Sequence, residues 1–399
     1  MSPRRPRAAG GFVFSAGARR VRSILLDVMS ILHPQVESRV RAHRERLSLS
    51  QQALADLVGV SRQAIIAIES GKQVPSTSRS LGLARALRCT VEDLFTLRAG
   101  SGVAARVAPT EGSVVGARVA LAEIDGTWAA HRLGADATVA ADGVVTAQPS
   151  SRTALVRPLV DPVELRRNAL VVGCAPILGA LAQRVGARHA DARATWLLGS
   201  SARALDLLER GLVQVAGVHV ADAGPARDNA AAVRTRFPDR RMLLVNLTRW
   251  RQGFVVPAGN PLAIRSGADL LRRGVRLVRR EDGAGAQTLV DRLLREQGVE
   301  RGYVHGPLAT GHEEVAQLVR CGAADFGVAI EGVALAAGLD FVPLTEERFD
   351  LVVPADLAET APVRRLLEMI DDDAFRDEMA ALPGYDGHEA GHAMTLEAA

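Results

Sequence analysis

The chain has 399 residues, enough for two or three domains of ~100–200 residues each. Its 48% hydrophobic and 24% charged residues are those of an ordinary soluble protein, and no stretch reaches the ~20 unbroken apolar residues of a membrane span, which excludes long disorder and an integral membrane helix. The formal charge of +4 is unevenly placed: up to Arg98 there are sixteen basic and seven acidic residues, so the remainder carries a net −5 and only the first quarter suits a polyanion.

Residues 1–35 are rich in Arg, Gly and Ala and read as a basic flexible tail. The apolar run 24–32 is broken by Asp27 and has no small-residue cleavage site, so it does not read as a secretory signal. Cys89, Cys174 and Cys321 are odd in number and far apart, with neither a metal-ligand spacing nor a disulfide framework. That pattern suits the reducing cytoplasm and predicts no metal site and no cofactor.

Residues 36–98 form the next expected domain. Ser50 suits a helix cap, with Leu54, Ala55 and Val58 on the inner face that follows. Gly59 sits where a sharp turn demands positive φ, and Val60 fills the angle between helices. Ser61 caps a second helix whose Ile65 and Ile68 point inward, leaving Arg62, Gln63, Ile66 and Ala67 free to enter a major groove. This stretch resembles the Xre/Cro/repressor helix-turn-helix family, and the likeness continues through Pro75-Ser76, residues 83–87 and residues 91–95. The resemblance implies a face for double-stranded DNA made of Gln51, Ser61, Arg62, Gln63, Ile66, Ala67 and Lys72. Gln51 and Lys72 would meet phosphates, Arg62 would suit guanine, Gln63 adenine, and Ile66 and Ala67 thymine methyls.

Residues 99–160 read as a linker and a small β segment, with Asp125-Gly126 between alternating runs as a hairpin turn. From residue 161 to 387 strand-like and helix-like runs alternate, as in an α/β layered domain. The runs 171–176, 216–222, 244–249, 252–261, 283–287, 322–327 and 338–344 together resemble the type II periplasmic-binding-protein fold, and more closely its molybdate-binding-like branch behind an Xre head. The resemblance implies two lobes joined by crossing strands, for which residues 254–257 and 341–344 are the candidates. Three loops would then offer helix N-termini to a small oxyanion. They contribute Cys174 and Ala175, Ser200 and Ser201, and Gly283, Gly285 and Gln287, with His219 following a strand nearby. Cys174 reads as a packing residue, because no base lies near it in sequence.

His388-Glu389-Ala390-Gly391-His392 matches the zinc-protease pattern. Glycines at 384, 387 and 391 argue against the helix that pattern needs, so residues 388–399 are expected to be a tail and the chain is expected not to be an enzyme. The expectation for the whole is a cytoplasmic one-component transcriptional regulator. An all-α helix-turn-helix is followed by an α/β two-lobed sensor of a small molecule or an oxyanion such as molybdate, in a homodimer away from any membrane. The enzyme alternative is an Xre-type regulator with a zinc metalloprotease at the C-terminal motif.

Overall fold

A computed structural model describes residues 35–98, 102–108, 112–134, 138–219, 229–299 and 304–398. The basic tail up to residue 34 and the linker residues 99–101 and 109–111 lie outside the described residues. The chain divides into two compact units, Met1–Val103 with Val156–Pro158, and Ala104–Leu155 with Leu159–Ala399.

The first unit is helical. Strand β1 (Gln35–Ser38) precedes α1 (Val40–Arg46), α2 (Gln51–Val58), α3 (Arg62–Glu69), α4 (Thr77–Leu87) and α5 (Val91–Leu94). Strand β2 (Phe95–Arg98) then returns antiparallel to β1, closing the unit with a ribbon that local periodicity does not announce. Ser50 and Ser61 accept the Ala53 and Ala64 N–H groups, satisfying donors that each helix start would otherwise leave open. Gly59 takes φ 70° to turn α2 into α3. Thr90 and Asp93 form a reciprocal capping box on α5. Val40, Leu54, Ile65, Ile68, Leu83, Leu87 and Leu94 are fully buried, each worth roughly 1.5–3 kcal/mol of transfer free energy. At the edge of this core the Arg44 guanidinium meets Glu69 at 2.6 Å and the Leu49 carbonyl at 2.8 Å.

A closed five-stranded barrel, all but Val103 and Val156–Pro158 of it in the second unit, comes next: β3 (Val103–Val107), β4 (Arg118–Ile124), β5 (Thr127–Arg132), β6 (Gly143–Ser150) and β7 (Thr153–Pro158), ordered β3-β5-β4-β6-β7. Asp125 and Gly126 both take positive φ between Ile124 and its partner Thr127, which is the two-residue hairpin expected there. Closure leaves no sheet edge, so the segment read as a small β linker is a complete barrel. Ala120, Ala122, Ile124 and Ala129 on its wall join Leu170, Val172, Leu205 and Leu208 of the following α/β layer in one apolar cluster. Three buried polar links reinforce that seam. Asn168 donates to the Leu121 carbonyl at 2.8 Å, Asp142 pairs with Arg193 at 2.9 Å, and the His131 Nε2–H donates to the Leu212 carbonyl at 2.7 Å. Burial drives the His131 pKa down to about 4.

After α6 (Pro162–Arg166), β8 (Asn168–Gly173), α7 (Ile177–Arg188), β9 (Arg193–Leu198), α8 (Ser201–Glu209), β10 (Val215–Val218) and α9 (Asn229–Arg236) build lobe one. Strand β11 (Met242–Val256) then crosses into lobe two, made of β12 (Leu277–Arg280), α10 (Gly285–Glu296), β13 (Leu308–Ala309), α11 (His312–Arg320), β14 (Phe326–Ile330) and α12 (Glu331–Ala336). Strand β15 (Asp340–Pro354) returns to lobe one, which α13 (Ala355–Ala358), α14 (Ala361–Glu368), α15 (Asp373–Ala380), β16 (Tyr385–Asp386) and β17 (Ala393–Leu396) complete. The sheet order β13-β12-β14-β11-β15-β10-β8-β9 runs through both lobes.

Two expectations change. The crossing strands are not short pieces at 254–257 and 341–344. They are two 15-residue strands, each roughly 50 Å long, paired antiparallel along their length. The expected pieces are their lobe-two ends, and the passage between lobes lies midway, flanked by register shifts at Asn246/Thr248 and Gln252/Gly253. At the second shift a Cβ on Gly253 would lie 2.1 Å from the Val342 carbonyl oxygen, so the site admits only glycine. Residues 388–399 are not a tail either, because β17 pairs with Met242–Val245 of β11 and so belongs to the sheet of lobe one.

Candidate functional site

In the helical unit, α3 presents Arg62, Gln63 and Ile66 to solvent, with Ala67 half-buried beside them and Ser61 exposed at the helix start. Lys72 is exposed just beyond α3, where its N–H returns to the Ala67 carbonyl. Gln51 is placed less freely than expected: its side-chain amide donates to Glu69 at 3.0 Å, so the same carboxylate that holds Arg44 also orients Gln51.

In the second unit the loops after β8 and β10, both crossing strands and the start of α11 converge on a buried polar centre. Cys174 and Ala175 follow β8 at 2% and 0% exposure, and His219 follows β10 at 2%. Ser201, at the start of α8, donates to the His219 carbonyl and accepts its N–H, both at 3.1 Å, which locks the loop that carries the imidazole. The ring is oriented by Glu347 of β15, 2.6 Å from Nδ1. Burial opposes charge on His219, yet the neighbouring Cys174 sulfur and Glu347 carboxylate outweigh it and push the pKa up to about 10. His312, the first residue of α11, has the opposite fate: burial, Arg280 and His219 hold it far below the usual histidine range.

The expected site residues divide. Cys174, Ser201, His219 and Gly285 come together, and a Cβ on Gly285 would lie 2.3 Å from His219 Cε1. Gly283 closes against Ala202 in the same way, and its carbonyl accepts the Ala202 N–H at 3.3 Å. Ser200 caps α8 through the Arg203 N–H. Gln287 turns back into lobe two, its Oε1 accepting the Arg280 N–H and its Nε2 donating to Asp291, both at 2.8 Å. Ser201 and Gln287 therefore have their polar atoms already occupied.

Sequence reasoning missed Trp250, Gln252, Arg280, His312 and Glu347. Trp250 stacks edge-on against both His219 and His312, at centroid distances of 5.1 and 5.6 Å. Among the described residues, the Trp250 indole nitrogen, both Gln252 amide atoms, Arg280 Nη1, both His312 ring nitrogens and Glu347 Oε1 are buried without a hydrogen-bond partner. The available signal was Gly311-His312 followed by two acidic residues as a helix start. A separate cavity of about 580 Å³ is lined by barrel residues such as Arg118 and His131 together with Trp196, Arg203 and Glu313, and none of its lining residues has such an orphaned atom.

The His388–His392 motif forms a turn, with Gly391 at φ 85°, rather than a helix. The His388 ring bonds Asp386 at 2.9 Å, and Glu389 is held by Arg249 and Arg348 at 3.1 and 2.7 Å. Two imidazoles on one helical face, which that protease chemistry requires, are absent. Among the described residues no helix is long and apolar enough to cross a membrane.

Comparison with known proteins agrees with this geometry. A helix-turn-helix family model matches residues 40–94, and a PBP superfamily domain model matches residues 182–371. The chain is 29% identical over 190 residues to the uncharacterized protein YvgK of Bacillus subtilis, a match covering 47% of this chain and only 61% of that relative. It is 49% identical over 59 residues to an uncharacterized HTH-type transcriptional regulator of Methanothermobacter thermautotrophicus, covering 14% of this chain and 86% of the relative. A solved structure of the sulfate-binding protein SubI from Mycobacterium tuberculosis aligns at 15% identity over 55% of this chain and 85% of its own, with a TM-score of 0.41, a likeness too distant to bear on ligand or activity. The chain thus belongs to the helix-turn-helix transcriptional regulators and carries a PBP superfamily domain behind its helix-turn-helix.

Proposed function

We propose that the protein is a cytoplasmic one-component regulator in which a small ligand, held between the two lobes, biases the lobes toward closure and so alters the binding of a homodimer to paired DNA half-sites. The observation that carries the sensing half is the group of buried, unpartnered polar atoms drawn from lobe two and both crossing strands: Trp250, Gln252, Arg280, His312 and Glu347. Native proteins leave few such atoms unsatisfied, each costing about 1–3 kcal/mol, so a cluster of them marks a place where something binds. A small oxyanion is the second reading, favoured by the free N–H groups of Trp250 and Arg280. The serine and glutamine donors expected to share that task are engaged within the protein, which weakens it.

The DNA half rests on the exposed face of α3. Arg62 and Gln63 read base edges, Ile66 and Ala67 meet thymine methyls, and Ser61, Lys72 and the α2 start at Gln51 face phosphates. Selection of bound sequences from a random duplex pool by the full chain supplies the operator for a mobility-shift assay. Arg62→Ala then weakens the selected site by roughly 1–3 kcal/mol and relaxes one base position, while Gln51→Ala weakens all sequences evenly. Unchanged binding by both variants rules out this face.

A further inference from the structure

We infer that Cys174, His219 and His312 form a binding site for a thiophilic transition-metal ion that ties lobe one to lobe two. The inference deepens the reading of the interlobe centre as the ligand site and rests on it.

The three residues are far apart in sequence, and the fold brings one donor atom from each to within 4.8 Å of the others, all three side chains buried. A tetrahedral ion with bonds of roughly 2.0–2.1 Å to nitrogen and 2.3 Å to sulfur needs donors roughly 3.3–3.8 Å apart, a contraction of about 1 Å. Two donors come from lobe one, after β8 and after β10, and the third comes from the first turn of α11 in lobe two, so an ion bound here bridges the lobes.

A carboxylate that orients one of the imidazoles is also in place. The Glu347 carboxylate, 2.6 Å from His219 Nδ1, accepts a hydrogen bond from that N–H and so keeps the proton on Nδ1, leaving Nε2 to bind the ion as it gives up its own proton, the arrangement that carboxylates impose on metal-bound histidines. His312 is fully buried and neither of its ring nitrogens has a partner among the described residues. A nucleophilic role for Cys174, with His219 as base and Glu347 behind it, would account for three of these groups and leave His312 idle. A metal accounts for all four.

Charge balance fits a divalent ion. The Cys174 thiolate and Glu347 together neutralise it, while the charge of the nearby Arg280 is matched by Glu281 at 3.0 Å. A thiolate with two imidazoles selects against magnesium and calcium and for zinc-like ions, and three protein donors leave a fourth position open.

The test uses the full chain, stripped with a chelator under reducing conditions and titrated with Co²⁺ and then Zn²⁺. The expected result is saturation at one ion per chain, with a thiolate-to-cobalt charge-transfer band that Zn²⁺ displaces. Cys174→Ser should abolish the band, Glu347→Gln should weaken affinity 10–100-fold, and Cys321→Ser, which removes the exposed thiol, should change neither. If Cys174→Ser does not fold, His312→Gln takes its place with the same expected loss. Failure to saturate at one ion per chain, or a band that survives these variants and follows Cys321, overturns the site. Calorimetry of the stripped protein with molybdate and phosphate separates the two readings: anion binding without metal binding keeps the sensor and removes the metal.

Discussion

His131 offers a test of the seam between barrel and lobe one that needs no ligand. Its Nε2–H donates to the Leu212 carbonyl, and its folded pKa is about 4 against 6.5 for the free side chain, because burial disfavours the imidazolium. The group is depressed in the folded state, so its contribution is complete above pH 6.5 and is lost as pH falls from there through the folded value. Linkage puts the loss at about 2 kcal/mol near pH 5 and about 3 kcal/mol near pH 4. His131→Gln keeps an N–H donor but does not titrate, so it should be less stable than wild type at neutral pH and should lack this part of the acid sensitivity. Trp128, Trp196 and Trp250 all lie in the second unit, so tryptophan fluorescence during urea unfolding follows that unit alone. The measured quantity is the narrowing of the stability gap between wild type and His131→Gln as pH drops. A gap that stays constant to about pH 4 would refute a buried neutral His131.

Three further outcomes are expected. Gly285→Val places carbon where His219 already sits, so the lobes should be held apart: small-angle scattering should show a larger radius of gyration, and the Co²⁺ signal should vanish while metal-free DNA binding persists. Glu69→Ala removes the carboxylate shared by Arg44 and Gln51 and strands a guanidinium whose side chain is 11% exposed, which should destabilise the helical unit by roughly 3–5 kcal/mol, read by hydrogen exchange in α1 and α3. Glu389→Gln, at a half-exposed pair of arginine contacts, should cost about 1 kcal/mol or less and leave zinc content unchanged, whereas loss of a bound zinc there would revive the protease reading.

What the sequence revealed was what short-range chemistry encodes. Ser50, Gly59 and Ser61 announce two helices and the turn between them within a dozen residues, and Asp125-Gly126 announces its hairpin in two. The alternation of strands and helices from residue 168 onward was equally plain. The interlobe centre was half visible: Cys174 and His219 were flagged one at a time, but their meeting depends on parallel pairing of β8 with β10, and His312 reaches them only through the crossing strands. Cys174 looked inert because its partner base is 45 residues away, a separation that motif spacing does not address. The anion cradle expected from three loops depended on open space between them, and whether Gly283 and Gly285 face a ligand or the opposite lobe is decided by tertiary closure alone.

The pairing of β17 with the first residues of β11 sets an order of events during synthesis. Met242–Val245 emerge from the ribosome about 150 residues before the strand that covers them, and the stretches of lobe one on either side of lobe two are likewise held apart in time. The helical unit has its whole core by Leu94 and can fold while the ribosome is still making the barrel. Lobe one must wait with an unpaired strand edge, the kind of surface that recruits other chains. A nascent or proteolysed chain lacking residues 393–396 would thus carry a finished helix-turn-helix attached to an unfinished α/β domain, with the backbone groups of Met242–Val245 open to strand pairing with another chain.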